Sequence, residues 1–263
     1  MFPARGNVIN QPGRRTNLDM KTFIVGERPK LRNAVLIEGL PGLGLVGKIA
    51  VTYLIERLGA EKVAELYSPH FPHYAETDEE GRLRLLRNEF YLWRGPSRDV
   101  LLLTGDCQAQ TTEGQYEIAE EVAKYARQVG VELIVTVGGF SKAVRGVPGV
   151  VASSTDGELL DRLRGLGVEV SPPGNPIVGM AGVLVAVAGM MSIRAVCLLG
   201  ETRGYLPDVK AAREVLKVLV ELLKLDVDLE GMEEEVRRSE RIAEEFKRIE
   251  KRAVVEERIT YIS

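Results

Sequence analysis

Cysteine is scarce in this 263-residue sequence: Cys107 and Cys197 are the only two, far apart and outside any C-x-x-C spacing. That excludes a disulfide scaffold and argues against a redox motif or a zinc site. Histidine is as scarce, with only His70 and His73, and aromatics make up 6% of the chain. Neither sign of charge prevails: 35 Lys+Arg against 38 Asp+Glu leave a formal net charge of −3. No global field therefore draws the protein to nucleic acid or to an anionic membrane. The longest run without a polar side chain, residues 177–191, is shorter than the roughly 20 residues of a membrane helix. Its Gly and Ala spacing instead suits a core helix buried against a sheet. Residues 1–19 hold no apolar segment of the signal-peptide type. With so few cysteines, a reducing cytoplasm is the default location.

What is present is ample core material: 45% hydrophobic residues, with 27 Gly and 12 Pro as punctuation. Residues 1–20 mix Pro, Gly, Asn and Arg without periodicity and read as a flexible N-terminal arm. An α/β core domain is expected over 21–227. Asn33–Ile37 is a buried-type strand, and Leu45–Leu58 a helix with Ile49, Tyr53 and Leu54 at helical spacing. Leu83–Trp93 and Val100–Leu103 read as neighbouring strands joined through Gly95-Pro96-Ser97. Glu113–Val129 is a helix, Leu133–Val137 a strand closed by Gly138-Gly139, and Val168–Val170 a short strand. Arg194–Leu199 is the last core strand, and Asp208 caps a helix reaching Leu225. Strands alternating with helices predict a mainly parallel sheet flanked by helices. Composition shifts after Asp228. Over 228–258, Met232, Val236, Ile242, Phe246 and Ile249 recur every third or fourth position among charges, with Glu233–Arg237 and Glu244–Arg248 as i,i+4 pairs. This predicts a charged amphipathic helix, followed by a short tail over 259–263.

Four groups of residues have the makings of chemistry. Gly42-x-Gly44-x-x-Gly47, between a predicted strand and a predicted helix, has the form of a dinucleotide-binding turn. The same glycines would equally permit close helix–sheet packing, and Pro41 replaces the usual direct entry from the strand. His70 and His73 could offer two metal ligands, but Pro69 and Pro72 prevent one helix from presenting both. Ser141 lies beside Lys142 and Arg145 without a histidine partner, which leaves only a Ser–Lys arrangement. Asp106, Gln108, Gln110, Thr111, Thr112 and Glu113 follow a strand's carboxyl end, where α/β sheets place ligands. Capping of the next helix by Thr111 or Thr112 is the simpler role.

The stretch Leu36-Ile37-Glu38-Gly39-Leu40-Pro41-Gly42-Leu43-Gly44-Leu45-Val46-Gly47 closely resembles the opening motif of the proteasome assembly chaperone family. Three further stretches resemble its archaeal branch. They are Thr104-Gly105-Asp106 with Gln108-Ala109 and Glu113-Gly114-Gln115-Tyr116; Thr136-Val137-Gly138-Gly139-Phe140; and Gly174-Asn175-Pro176-Ile177 with Gly179-Met180-Ala181-Gly182. The resemblance spans residues 33–225. It implies a nucleoside-phosphorylase-like α/β fold, no catalysis and no cofactor or metal. It also implies a cytoplasmic homo-oligomer, with proteasome core-particle α subunits or a related assembly chaperone as partner.

Some members of the family dock through a C-terminal hydrophobic–Tyr–any-residue tail. Here the tail is Ile259-Thr260-Tyr261-Ile262-Ser263, with Tyr261 third from the end and Thr260 before it, one residue off that pattern. The partner contact expected from helix and tail rests on Phe246, Ile259, Tyr261 and Ile262. The competing expectation is a nucleotide- or phosphate-dependent enzyme, ATP-grasp-like or phosphorylase-like, using the Gly39–Gly47 turn.

Overall fold

The computed structural model describes residues 21–144, 146–232 and 236. In chain order its strands are β1 (Phe23–Gly26), β2 (Ala34–Glu38), β3 (Glu61–Tyr67), β4 (Ala75–Thr77), β5 (Leu83–Leu85) and β6 (Asn88–Arg94). They continue with β7 (Asp99–Gly105), β8 (Val131–Ser141), β9 (Val150–Ser154), β10 (Glu169–Val170) and β11 (Arg194–Thr202). The helices are α1 (Val46–Leu58), α2 (Thr112–Val129), α3 (Gly157–Gly165), α4 (Met180–Met190) and α5 (Val209–Leu223).

Nine of these strands form one sheet in the order β1-β3-β6-β7-β2-β8-β11-β9-β10, while β4 and β5 pair as a separate hairpin. The four central strands, β7, β2, β8 and β11, are mutually parallel. On one side β1, β3 and β6 are added antiparallel, and on the other β9 runs against β11. The expected mainly parallel sheet is thus parallel at its centre and antiparallel on its flanks, a mixed sheet. The parallel centre follows from its crossovers, since β7-α2-β8 and β8 to β11 leave room for a helix.

Side chains alternate across the strands and build two cores. Leu36, Leu101, Leu103, Ile134 and Cys197 meet α2 and α4 on one face. Val35, Ile37, Leu102, Val135 and Leu198 meet α1, α3 and α5 on the other. Central strands buried on both faces read as continuous apolar runs, and so they were visible in the sequence. Caps fall at the expected places. The Thr111 hydroxyl accepts the Gly114 N–H at 3.0 Å, and Asp208 accepts the Ala211 N–H at 2.9 Å.

Three expectations change. Strand β8 does not close at Gly138-Gly139 but pairs with β11 as far as Ser141. Gly139 serves instead to admit the β2–α1 turn, because a Cβ there would strike the Leu43 carbonyl, while Gly138 lies against Leu199 and Ala181. Residues 177–191 are not wholly buried: Met180, Leu184, Val185 and Ala188 face the core, whereas Val178 and Met190 stand in solvent. The expected strand Leu83–Trp93 is two: β5 pairs only with β4, and β6 starts at Asn88 in the main sheet. Strands β1 and β9 and helix α3, which no local pattern announced, are short and lie towards the sheet's edges.

The amphipathic stripe begins inside the core. Met232 is buried among α1 and α5, the Tyr53 hydroxyl donates to the Asp228 carbonyl at 2.9 Å, and Gly231 lies against Arg57. Residues 1–20, the rest of the helix expected over 228–258, and the tail over 259–263 lie outside the described residues. Replacing Met232 by Ala is expected to lower the unfolding free energy by about 2 kcal/mol, the low end for a buried Met. Urea unfolding checks this as a lower midpoint at unchanged slope. A parent-like midpoint would mean that the side chain is not part of the core.

Candidate functional site

The carboxyl ends of β2 and β7 are adjacent, yet their following helices, α1 and α2, pack on opposite faces of the sheet. Doubly wound sheets keep their ligand crevices at such a point. Here the crevice is framed by the Gly39–Gly47 turn, the Asp106–Thr111 loop and the start of α4.

The glycines of the turn do different jobs. A Cβ on Gly39 would collide with the Gly47 carbonyl, and one on Gly47 with the Val137 carbonyl of β8. These two let strand end, helix start and neighbouring strand touch through backbone alone. Gly44 has φ 61°, a left-handed backbone suited to glycine, and sits against Thr202 and Asp208. Gly42 is less constrained: its added Cβ would meet nothing closer than Gln108 Nε2 at 3.4 Å. The turn then closes on itself, with the Leu45 N–H donating to the Gly42 carbonyl (2.9 Å) and the Asp208 N–H to the Gly44 carbonyl (2.8 Å).

Gln108 occupies the crevice. Its Nε2 donates to the Pro41 carbonyl at 2.8 Å, and its Oε1 accepts the Met180 N–H at 2.9 Å. One side chain thereby joins the glycine turn, the β7 loop and the first residue of α4. Gln115 reaches the same loop, donating to the Ala109 carbonyl at 2.8 Å. The Thr104 hydroxyl donates to the Gly39 carbonyl at 2.9 Å.

Beneath the turn, at the end of β2, lies Glu38, almost wholly buried. Its Oε1 accepts the Leu40 N–H at 2.9 Å, and its Oε2 has no partner among the described residues. Burial pushes its pKa up to about 8, against a lesser lowering by the Leu40 hydrogen bond. A carboxyl held neutral in this way is no general base at pH 7. Thr136 and Cys197 follow it in register across β8 and β11, and burial pushes the Cys197 thiol up to about 12. Sequence reading passed over Glu38. The available signal was a single acid closing an otherwise apolar strand.

The other singled-out residues have structural occupations. Arg84 Nη1 lies 2.5 Å from Asp106 Oδ2, and Arg84 also pairs with Glu76. Burial raises the Asp106 carboxyl, but Arg84 and the Arg87 N–H outweigh it and hold it below the ordinary value. The His70 ring shares Nδ1 with the Thr111 hydroxyl (3.0 Å) and Nε2 with Glu117 (3.4 Å), bracing the start of α2. His73 is exposed, and among the described residues no group of three or more His, Cys, Asp or Glu is placed to hold a metal ion. Lys142 is ion-paired with Glu201, whose hydrogen bond and charge raise the ammonium pKa. Held protonated, it does not serve Ser141 as a base. Phe246, Ile259, Tyr261 and Ile262 lie outside the described residues.

A model described as the PAC2 family matches residues 36–247. An uncharacterized protein of Methanocaldococcus jannaschii is 35% identical over 222 residues, covering 84% of this chain and 85% of that one. The crystal structure of Pyrococcus furiosus PbaB, described as an archaeal proteasome activator, is similar with a TM-score of 0.82 and 36% identity. It covers 87% of this chain and 99% of that one. Pyrococcus furiosus PbaA, described as an archaeal homolog of proteasome-assembly chaperone, is similar with a TM-score of 0.73 and 30% identity. The shares covered are 90% of this chain and 95% of that one.

Two outcomes follow from the site. Gly47→Ala should destabilise by about 3 kcal/mol or more through overpacking against β8. Gly42→Ala, with extended backbone (φ −155°) and ordinary contact with the Gln108 amide at 3.4 Å, should stay within about 0.5 kcal/mol of the parent. Equal thermal stability of the two variants would contradict the assigned packing. Glu38 titrates with the opposite sign to most carboxylates. Raised from 4.5 to about 8 in the folded chain, it stays protonated where the unfolded chain has already ionised. Stability therefore falls as pH rises from about 5 to 8, by up to ~1.4 kcal/mol per pH unit. In Glu38→Gln that slope should be absent while Gln Oε1 keeps the Leu40 bond. Urea unfolding at several pH values would refute this if parent and variant curves ran parallel.

Proposed function

This chain belongs to the PAC2 family, and from that premise we propose that it is a non-enzymatic assembly chaperone or activator of the proteasome core particle. The observation that carries the reading is its likeness to PbaB, which extends over 99% of that chain at 36% identity. The site geometry supports it as well. The glycine turn that would mark a nucleotide enzyme is spanned by Gln108, which joins the Pro41 carbonyl to the Met180 N–H.

On this reading the partner is a core-particle α subunit or a related assembly chaperone. The contact is carried by the segment beyond Met232: Phe246 on the apolar stripe, then Ile259, Tyr261 and Ile262 at the tip. An amphipathic segment with anchors three and four residues apart fits a hydrophobic groove. The protein acts as a homo-oligomer in the cytoplasm, so that several such segments engage at once and gain by multivalency. Among the described residues no helix is long and apolar enough to cross a membrane.

The test is capture of purified archaeal core particle by the full chain, by Tyr261→Ala and by a chain lacking residues 259–263. Loss of a buried aromatic anchor should weaken capture about tenfold or more, ~1.4 kcal/mol or above. Melting temperature should hardly move, since Tyr261 is expected outside the core. Parent-like capture by both variants would remove the tail from the contact. Unfolding of both would make it part of the core.

A further inference from the structure

At the amino edge of the sheet, the starts of β2, β8 and β11 meet the turn before β7, helix α3 and the end of α5. A cavity of about 140 Å³ opens between them. Its floor is apolar, made by Leu133 of β8, Leu159 of α3, and Leu222 and Leu223 of α5. Its rim is charged, with Arg98, Arg162, Arg194 and Glu132. This end of the molecule is remote from the glycine turn. Helices α1 and α5 both start beside that turn, where Gly44 receives the Asp208 N–H, and α5 ends at the cavity.

Most arginines at this edge are already committed. Arg32 donates to the Gly95 and Pro96 carbonyls, and Arg94 pairs with the buried Asp99. Arg194 pairs with Asp156, and Arg162 Nη2 donates to the Leu222 carbonyl at 3.1 Å. Arg98 differs. Its turn is well fastened: the Gly95 N–H donates to the Arg98 carbonyl at 3.0 Å, and Asn33 Nδ2 donates to the Ser97 carbonyl at 3.3 Å. Yet the guanidinium of this half-buried residue has no hydrogen-bond or ion-pair partner among the described residues, and neither has the Glu132 carboxylate.

Each lining asks for a different group. An arginine held beside leucines and left unpaired is matched by a carboxylate, whose charge-assisted hydrogen bonds are the strong ones. Glu132, together with the C-terminal end of α5 and its negative dipole, favours a cation. The leucine floor favours an apolar body. A cavity of about 150 Å³ lined by apolar side chains accepts benzene, so this one has room for a branched or aromatic side chain. An inorganic anion would leave both Glu132 and the leucines unmatched.

We propose that this cavity binds a free α-amino acid with an apolar side chain. The carboxylate lies on Arg98 and Arg162, the ammonium on Glu132, and the side chain on the leucine floor. A peptide does not qualify, because the site needs both charges on one α-carbon. The site is independent of the partner contact described above.

Calorimetric titration of the full chain with L-leucine tests this, beside isocaproate, which lacks the ammonium, and isoamylamine, which lacks the carboxylate. Leucine should bind with sub-millimolar affinity, and each analogue about tenfold more weakly, since each leaves one charge unmatched. Arg98→Gln should weaken leucine about tenfold and melt as the parent does, because its guanidinium holds nothing within the protomer. Glu132→Gln should weaken leucine but not isocaproate, a split that a merely structural role would not produce. Arg162→Gln also frees the end of α5, so Arg98 and Glu132 decide. Absence of leucine binding, unchanged affinity in Arg98→Gln, or isocaproate binding as tightly as leucine would overturn the proposal. Displacement of leucine by an equal concentration of inorganic phosphate would overturn it too, leaving a bare anion site.

Discussion

Backbone touches backbone where β2 ends, and the upper part of the molecule is hung on that contact. The Gly39 and Gly47 Cα atoms face each other, Gly47 faces the Val137 carbonyl, and Gly139 faces the Leu43 carbonyl. No side chain fits at these points, so the turn lies flat on β8 and brings its carbonyls to fixed positions. Pro41 then receives Gln108, Gly44 receives the Asp208 N–H, and Gln108 in turn receives the Met180 N–H. The starts of α1, α4 and α5 and the β7 loop are all located by this one close approach. A bulkier residue at Gly47 would push on β8 and on three helices together.

The same contact explains why a sequence with the outward form of a phosphate-binding turn need not bind phosphate. Such turns offer free N–H groups and an open cradle to the anion. Here an amide side chain, Gln108, crosses the space beside the turn from the Pro41 carbonyl to the Met180 N–H. Glycine spacing specifies close packing. Whether a ligand shares the space depends on the side chains that converge on it from β7 and α4.

Apart from Glu38 Oε2 and Gln115 Oε1, the buried polar side chains at the carboxyl edge are hydrogen-bonded into the fold, and several charged ones are held in ion pairs. Arg84 is held between Asp106 and Glu76, and Lys142 by Glu201. Salt bridges of this exposure contribute little to stability. Their value here is positional: they fix the hairpin and the β8–β9 loop beside the crevice, and so shape the surface that other molecules meet.

The sequence by itself determined the fold class, the central strands, α1, α2 and the caps at Thr111 and Asp208. Each of these is written in local periodicity, in a continuous apolar run, or in a side chain that satisfies its own backbone. The family was legible too, because its motifs coincide with the positions where glycines must pack. Tertiary structure decided what no local pattern encodes. The antiparallel flanks are set by non-local pairing, and β8 runs on through Gly138-Gly139, where the room Gly139 leaves is taken by the Leu43 carbonyl of the β2–α1 turn. The Glu38 pKa is raised only because the packed fold buries the end of β2, Gln108 is a crossbrace only because β2, β7 and α4 converge, and Met232 belongs to the core only because α1 and α5 reach it. In each case the deciding neighbour is distant in the chain, and its approach is a property of the packed sheet.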